Sequence, residues 1–186
     1  MNLNSDFDTS NQTSEIDTIV TMVKKILLAL ASVVLVGALA ITFLIIDQSL
    51  LPSRAKNVLE NSEQFTLYSL QPEDRGERGD AKFFHTYRIL GKIEIADPQV
   101  KSGLVNALYK SIEDQIGASS CIIQPRHAIR AVKDGKTVDV AICFECGVAE
   151  FWMNGKRNYE NMTETPLPLF DRVLKSGKIP LAKRAF

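Results

Sequence analysis

The feature that most constrains this chain is a long apolar run near its N-terminus. Residues Ile26–Ile46 include no charged side chain, and only Ser32, Gly37 and Thr42 interrupt the apolar residues. An α-helix rises about 1.5 Å per residue, so the run would cover roughly 30 Å, the thickness of a bilayer's hydrocarbon core. We therefore predict a transmembrane segment at 24–47, with Ile26–Ile46 in contact with the lipid bilayer.

A cleaved signal peptide is the main alternative to a permanent membrane span. The apolar region of a signal peptide is about 7–15 residues long and is followed by a small-x-small cleavage site. The run here is longer, and the following segment DQSLLPSRAK offers no obvious site. No cysteine directly follows the run, so the lipid-attachment site of bacterial lipoproteins is missing as well. We predict an uncleaved signal anchor that crosses the membrane once.

The orientation of the span is indicated by the basic residues at its two ends. Lys24 and Lys25 lie directly against its start, whereas Arg54 and Lys56 lie several residues beyond its end. Because basic residues near a span favour the cytoplasmic side, we predict a cytoplasmic N-terminus and an exported C-terminal domain. In a bacterium, this places the span in the inner membrane and the domain in the periplasm.

The segments on either side of the span differ in composition. Residues 1–23 are rich in Asn, Ser, Thr and Asp with little apolar material before Ile16, which predicts a disordered tail. Residues 48–63 predict a short juxtamembrane helix or linker. The formal net charge of +0 argues against a nucleic-acid partner, which would require a concentrated basic face.

Residues 64–186 predict an exported soluble domain of the α+β class. Segments 65–71 and 83–95 are enriched in aromatic and β-branched residues and are predicted as two strands. Asp97 and Pro98 are typical of a helix start, and an apolar stripe from Val100 to Ile116 leads to a stop at Gly117. A hairpin and a helix at 169–175 complete the predicted order β-β-α-β-β-α. We expect a mainly antiparallel sheet with helices on one face, preceded by one transmembrane helix.

The hairpin after this helix has a register that can be predicted from its turn. Asp134-Gly135 is typical of a two-residue type I′ turn, which places Lys133 opposite Lys136. The same register places Arg130 opposite Asp139 as a favourable ion pair. We predict that the second strand continues through the C-x-x-C sequence to Trp152.

Two of the three cysteines, Cys143 and Cys146, have the spacing of a zinc knuckle. With Cys121 and His127 they would form a Cys3His zinc site. On a regular strand, however, Cys143 points to the polar face and Cys146 to the core, with side chains roughly 10 Å apart. The same geometry argues against a reactive thiol-redox pair, since such motifs usually begin a helix.

Two further alternatives assign the cysteines a structural role. Cys121 and Cys146 share the core face, and a one-residue bulge would bring them to disulfide distance. Alternatively, the cysteines are buried thiols that fill small apolar spaces, and His85 and His127 are hydrogen-bonded core histidines. The sequence leaves the metal, redox, disulfide and buried-thiol interpretations open.

Three segments resemble a family of uncharacterised bacterial envelope proteins, many of them lipoproteins. The segments are FFHTYRILGK, CIIQPRHAIRAVKDGKTVDVAICFEC and PLFDRVLKSGKIPL. The family pattern reads F-H-x-Y-x-x-L-G, then C-F-x-P-R-H-G-I-R, then V-I-C-F-E-C. Here Ile122 and Ala128 replace the family's Phe and Gly, and a membrane span replaces the lipid-modified cysteine. The resemblance implies an envelope location and a shared fold, and it marks His85, Cys121, Pro125, Arg126, His127, Cys143, Glu145 and Cys146.

The sequence contains no complete catalytic constellation, so no catalytic residue and no resident cofactor are assigned. Our leading hypothesis is a non-enzymatic, membrane-anchored envelope domain that binds or scaffolds a protein or ligand partner, with a structural Cys/His cluster. The alternative hypothesis is a zinc-binding or thiol-redox protein that uses Cys121, His127, Cys143 and Cys146.

Overall fold

The computed structural model describes residues 9–49, 51–117 and 121–183 of the chain. The chain divides into two compact units, Met1–Asp47 and Gln48–Phe186. Each unit is described by itself.

The first unit consists of helix α1, Thr9–Ser49, which continues to the unit boundary and just past it. Within it, Thr21–Thr42 has a mean hydropathy of 2.3 and is long and apolar enough to cross a membrane. No second helix with these properties occurs in the described residues. Residues 9–23, which the sequence predicts to be disordered, are helical, whereas residues 1–8 lie outside the described residues.

The second unit is an antiparallel sheet of seven strands with three helices, which confirms the predicted α+β class. The strands lie in the order β2-β3-β1-β4-β5-β6-β7. The predicted element order is not reproduced, because the sequence was expected to form four strands. The elements are α2 (Leu51–Glu60), β1 (Gln64–Arg75), β2 (Phe83–Phe84), β3 (Tyr87–Glu94), α3 (Pro98–Glu113), β4 (His127–Lys133), β5 (Lys136–Cys143), β6 (Val148–Met153), β7 (Lys156–Asn161) and α4 (Leu167–Ser176).

The main core lies between the helices and one face of the sheet, which we call the inner face. Leu104 of α3 and Phe170 of α4 are fully buried against apolar side chains of the central strands. Ala55 and Leu59 of α2 are also fully buried in this core. Helix α2 therefore packs into the core of the folded domain; the sequence predicted a juxtamembrane helix or linker at 48–63.

Helix α3 begins as its sequence predicts but ends earlier. The Asp97 side chain accepts a hydrogen bond of 2.8 Å from the backbone N–H of Gln99, which caps the helix. The helix ends at Glu113, short of Gly117. Ile116 is 95% exposed, so its predicted place in the apolar stripe is wrong.

The predicted strand at 83–95 is divided into β2 and β3. The chain reverses at His85, whose φ of 55° lies in the left-handed region. Farther along β3, Leu70 of β1 pairs with Ile89 and Ser69 pairs with Gly91, so Leu90 is an extra residue in the ladder. This bulge places Ile93 against the main core and Ile89 against a second apolar cluster on the opposite face of the sheet.

The predicted hairpin register is confirmed between β4 and β5. Lys133 pairs with Lys136, and Arg130 pairs with Asp139. The predicted continuation of this strand to Trp152 is wrong, because β5 ends at Cys143 and the chain turns back into β6.

Gly147 explains why the chain turns at this point. Its φ of 60° is left-handed, and its N–H donates to the Phe144 carbonyl at 3.1 Å. A Cβ at this position would lie 2.6 Å from the Met162 carbonyl oxygen, so only glycine fits without strain. The turn brings Cys143 opposite Val148 in the β5–β6 ladder.

The second face of the sheet, the outer face, has a smaller apolar cluster of its own. The sheet curls, and the β2–β3 turn reaches over β5 and β6. The face of β5 that the sequence predicts to be polar is therefore largely buried, and Cys143 is completely buried. The cluster consists of Tyr68, Leu70, Phe84, Tyr87, Ala128 and Ala141, with Ile89 and Trp152 packed against it.

Candidate functional site

The residues that the sequence singles out lie in two separate places. One group lies around the β5–β6 turn, and we call it the clamp because its members connect distant parts of the chain. His85 instead lies on the outer face, beside a cleft that we call the outer cleft. The clamp consists of Cys121, Arg126, His127, Cys143, Glu145 and Cys146, with their partners Glu73 and Asp171.

A disulfide joins Cys121 to Cys146, with Cα atoms 5.8 Å apart. Of the four interpretations that the sequence left open for the cysteines, the structure has the disulfide between Cys121 and Cys146. The required bend comes from the β5–β6 turn rather than from a bulge within a continuous strand. Cys121 is exposed and Cys146 is partly exposed, so the bond lies near the protein surface.

Cys143 is the free thiol and is completely buried. Its sulfur accepts a hydrogen bond of 3.4 Å from the backbone N–H of Gln124. Burial raises the pKa of the Cys143 thiol, although the backbone amides of Gln124 and Cys146 act in the opposite direction. The thiol form is therefore favoured in the resting protein.

Arg126 connects three parts of the chain through one buried guanidinium group. Nη1 donates to the Lys183 carbonyl at 2.6 Å, and Nη2 donates to Glu73 Oε1 at 3.0 Å. Nε lies 3.2 Å from Glu145 Oε1. The contacts fix the end of β1, the β5–β6 turn and the C-terminal segment to one another. Charge-assisted contacts of this kind are needed to offset the desolvation of a buried arginine.

His127 connects β4 to α4. Its Nε2 lies 2.9 Å from Asp171 Oδ1, and its ring packs edge-on against Phe144 and Phe170. Ser69 pairs with His127 across the β1–β4 ladder, so a Ser-His-Asp set is present in this region. Ser69 is fully buried, and therefore its hydroxyl is not accessible to a substrate as a hydrolase nucleophile.

The zinc alternative would require Cys121, His127, Cys143 and Cys146 to converge. The structure does not bring them together, because two of the thiols are bonded to each other and the His127 ring contacts Asp171. Across residues 9–49, 51–117 and 121–183, no group of three or more His, Cys, Asp or Glu side chains is placed to hold a metal ion.

The outer cleft has a volume of about 420 Å³ and lies over the smaller apolar cluster. The loop that joins β1 to β2 forms one wall, and strands β1, β3 and β4 form the floor. Its lining combines aromatic and basic side chains. The lining residues are Tyr68, Arg78, Gly79, Asp80, Ala81, Phe83, Phe84, His85, Ile89, Lys92 and Arg130.

A buried carboxylate organises the floor of the outer cleft. Arg130 donates to both oxygens of Asp139, through Nε and Nη2, at 2.7 Å each. His85 Nε2 lies 2.9 Å from Asp139 Oδ2, and the His85 ring stacks on Trp152 with centroids 4.0 Å apart. A carboxylate accepts hydrogen bonds, so the N–H at His85 Nε2 is the donor to Asp139.

The electrostatics of Asp139 follow from these contacts. Burial raises the pKa of its carboxyl group, but hydrogen bonds from Arg130 and His85 and the charge of Arg130 outweigh burial. The pKa of Asp139 therefore lies below its ordinary value. The carboxylate stays ionised, and it holds the Arg130 guanidinium and the His85 ring in fixed positions.

Two basic side chains lie on the rim of the outer cleft and do not contact the Asp139 carboxylate of its floor. Arg78 and Lys92 are exposed, and neither has an ion-pair partner among the residues that the structure describes. Asp80 is the one acidic residue on the rim, and its Oδ1 accepts the Lys82 N–H at 2.9 Å. The rim therefore has an excess of positive charge.

A larger groove of about 730 Å³ runs along α4, beside Asp171, Arg172 and Lys175. It is more open than the outer cleft, and most of its lining comes from the surface of that single helix. The outer cleft instead combines side chains from several strands and a loop above a buried polar network. Pockets with a few fixed polar groups are typical of ligand sites, so we consider the outer cleft the better candidate.

Sequence reasoning missed most of the outer cleft. It marked His85 and paired Arg130 with Asp139, but it did not connect them with Tyr68 or Trp152. The available signal was the F-H-x-Y spacing, which places His85 at the β2–β3 turn.

Comparisons of the chain with protein-family models, with curated proteins and with solved structures found no match.

Proposed function

We propose that this chain is a membrane-anchored domain that binds an anionic partner molecule in the outer cleft, while the clamp serves the structure of the domain. One observation carries the proposal. A buried Asp139 carboxylate fixes Arg130 and His85 beneath a cleft whose rim has two exposed cations, Arg78 and Lys92, without an ion-pair partner in the described residues.

The chemistry of the cleft supports a ligand with an anionic group and a ring or apolar part. Arginine and lysine recognise carboxylates and phosphates through charge-assisted hydrogen bonds. Tyr68 and Phe84 supply an aromatic floor, and Phe84 lies below the Arg130 guanidinium, whose carbon is 5.2 Å from the ring centroid. A volume of about 420 Å³ is in the range of small-molecule sites.

Two observations support an anchored domain on the oxidising side of a membrane. Helix α1 includes a segment long and apolar enough to cross a bilayer. The Cys121–Cys146 disulfide lies near the surface of the domain, and disulfides persist in exported compartments but are rare in the cytosol. With Lys24 and Lys25 before the span, the positive-inside rule favours a cytoplasmic N-terminus.

Ligand binding can be measured through Trp152, the single tryptophan of the chain. The full chain in detergent is titrated with phenyl phosphate, with phenol and inorganic phosphate as separate probes. Because Trp152 stacks on His85 below the cleft, binding of phenyl phosphate is expected to change its fluorescence emission. Phenol is expected to bind at least about tenfold more weakly, because it lacks the charge-assisted contacts.

Matched variants assign the response to the outer cleft. The double variant Arg78→Gln with Lys92→Gln removes the rim cations and should weaken binding. Lys136→Gln removes an exposed lysine at the β4–β5 turn and should bind as the unaltered chain does. Equal binding by all three proteins, or no response to phenyl phosphate in the unaltered chain, would contradict the proposal.

The orientation is tested in bacterial cells with a phosphatase reporter fused after Phe186. Such a reporter folds into its active form only when it is exported, because it depends on disulfides. We expect activity from the fusion and none from a matched fusion that lacks residues 24–47. An inactive but stably produced full-length fusion would show that the C-terminal domain is cytoplasmic.

A further inference from the structure

Two isoleucines of the second unit, Gln48–Phe186, are almost fully exposed. Among the described residues of this unit, Ile116 and Ile122 are the most exposed large apolar side chains, at 95% and 82%. Ile116 follows the end of α3, and Ile122 follows the disulfide residue Cys121. A single exposed isoleucine is ordinary in a soluble domain, so the meaning of this pair depends on where the two side chains lie.

Backbone contacts place Ile116 near the β5–β6 turn. The Ser111 carbonyl in the last turn of α3 accepts a hydrogen bond of 2.9 Å from the Thr163 N–H. The adjacent Met162 N–H donates to the Gly147 carbonyl, at the end of the β5–β6 turn, at 2.8 Å. The last turn of α3 is therefore joined to the β5–β6 turn through the segment that follows β7. Ile116 lies only a few residues beyond this helix end.

The disulfide holds Ile122 at the same place. Cys121, the residue before it, is bonded to Cys146, which lies in the β5–β6 turn. The carbonyl oxygen of Ile122 is 3.1 Å from the sulfur of Cys146. One end of the domain therefore includes Ile116, Ile122 and the β5–β6 turn, and we call it the isoleucine end.

The chain enters the domain at the isoleucine end. The Tyr109 hydroxyl donates to the Pro52 carbonyl at 2.7 Å, so the start of α2 lies beside the C-terminal half of α3. The two helices run in opposite directions, because Lys101 near the start of α3 donates to the Ser62 carbonyl, just after the end of α2, at 2.9 Å. The first residues after the apolar run thus join the domain at the end that presents the two isoleucines.

Chain length limits the distance between this end and the membrane. Pro52 follows Ile46, the last residue of the apolar run, by six positions. A chain spans at most about 3.6 Å per residue, so Pro52 lies within roughly 20 Å of the bilayer. We propose that the isoleucine end contacts this bilayer, with Ile116 and Ile122 inserted below the lipid headgroups. The inference rests on the membrane anchor of the proposed function and does not depend on binding in the outer cleft.

The chemistry of the isoleucine end fits a lipid surface. Interfacial protein segments bind membranes by burying apolar side chains about 5–10 Å into the boundary between headgroups and acyl chains. Lys110 near this end pairs with Asp114 at 2.9 Å, so the contact does not require anionic lipid. The anchor holds the bilayer at a high effective concentration, and two apolar side chains are then sufficient. A stable dimer would instead bury roughly 800 Å² per partner, more than two isoleucine side chains supply.

Quenching of tryptophan fluorescence by brominated lipid tests the contact. The full chain is reconstituted in phosphatidylcholine vesicles whose acyl chains carry bromine, which quenches a tryptophan that lies in the lipid. Ile116→Trp and Ile122→Trp each place a reporter at the isoleucine end. The fold should tolerate both changes, because both side chains are exposed. The unaltered chain measures the contribution of Trp152.

Lys136→Trp is the matched control. Lys136 is exposed at the β4–β5 turn. This turn lies at the other end of the domain, since the Glu63 N–H, just after the end of α2, donates to the Val132 carbonyl of β4 at 2.9 Å. The tryptophan of this control should remain in water if only the isoleucine end contacts lipid.

We expect quenching of the added tryptophan to be at least about threefold greater in Ile116→Trp and Ile122→Trp than in Lys136→Trp. Quenching no greater than that of the control would overturn the inference. That result would also be obtained if the isoleucines contacted a second copy of the chain, because a protein interface excludes lipid.

Flotation of the unaltered chain with the vesicles distinguishes this result from failure of the anchor. A chain that floats with the vesicles, while neither added tryptophan is quenched more than the control, keeps the membrane anchor and overturns the lipid contact alone. A chain that does not float with the vesicles overturns both the anchor and the contact.

Discussion

The clamp and the outer cleft are built from the same side-chain types but differ in exposure. Each has a histidine whose Nε2 lies 2.9 Å from an aspartate oxygen, His127 with Asp171 and His85 with Asp139. Each also has an arginine beside a carboxylate. The Arg126 side chain in the clamp is 7% exposed, whereas the Arg130 side chain at the cleft is 43% exposed. Residue type alone therefore does not distinguish these two places in the molecule, but the exposure of their side chains does.

The largest effect on stability is expected from Cys121→Ser, which removes the disulfide of the clamp. The two cysteines are 25 residues apart in sequence, and closure of a loop of this size stabilises a protein by about 3 kcal/mol in the chain-entropy model. Urea unfolding of the full chain in detergent measures the loss. A free energy of unfolding equal to that of the unaltered chain would show that the clamp does not depend on this bond.

Arg126→Met should destabilise the domain by about 2 kcal/mol, because the buried guanidinium makes three charge-assisted or carbonyl contacts that methionine cannot replace. Thermal unfolding compares this variant with Arg88→Met. Arg88 forms an ion pair with Asp74 that is about half exposed, and its loss should cost less than about 0.5 kcal/mol. Similar losses in the two variants would mean that Arg126 does not hold the clamp together.

Asp139→Asn tests the network beneath the cleft. Because the Arg130 side chain is 43% exposed, the expected loss is about 1 kcal/mol, below that of a fully buried pair. The folded-state pKa of Asp139 is lowered, so its stabilising contribution is present above the unfolded pKa and disappears as the pH falls through the folded pKa. The difference in the free energy of unfolding between Asp139→Asn and the unaltered chain should therefore be largest at neutral pH. It should become smaller below a pH of about 4.

A difference that stayed constant down to acidic pH would contradict the ionised Asp139. Asp80→Asn on the rim of the cleft is the matched control, since its carboxylate is exposed. The difference in the free energy of unfolding between Asp80→Asn and the unaltered chain should not decrease in the same way as the pH falls.

The smallest effect on stability is expected from Arg78→Gln and Lys92→Gln. Both side chains are exposed and have no ion-pair partner in the described part of the chain, so unfolding should change by less than about 0.5 kcal/mol. Their loss should nevertheless weaken phenyl phosphate binding, whereas Arg126→Met should leave binding unchanged below its unfolding temperature. If the Arg78→Gln, Lys92→Gln variant has a lower free energy of unfolding and still binds phenyl phosphate as the unaltered chain does, the rim cations contribute to stability and not to binding.

Local signals in the sequence were sufficient for the β4–β5 hairpin. The Asp134-Gly135 turn and the alternation of its flanking residues fix the register, and the Arg130–Asp139 pair follows directly. The start of α3 was predictable for a similar reason, since Asp97 and Pro98 act on the first helical turn. The predicted membrane span lies within α1, although its orientation stays a prediction.

Nonlocal contacts account for the errors. The left-handed conformation of Gly147 and its contact with Met162 become visible only when β6 is paired with β5 and β7 with β6. The outer cleft could not be predicted because its floor depends on the β2–β3 turn crossing over distant strands. The prediction of one continuous strand at 83–95 missed both the reversal at His85 and the bulge at Leu90.

The bulge at Leu90 shifts the alternation of side chains between the two faces of β3 by one residue. Before it, Ile89 packs on the side of the cleft, and after it, Ile93 packs against the helices. Deletion of Leu90 would restore one continuous alternation along β3. Either the floor of the outer cleft or the main core would then receive the wrong side chains. The outer cleft and the helix-packed core therefore depend on the same alternation of side chains along β3, so that an insertion or deletion in this strand cannot alter one face of the sheet without disturbing the other.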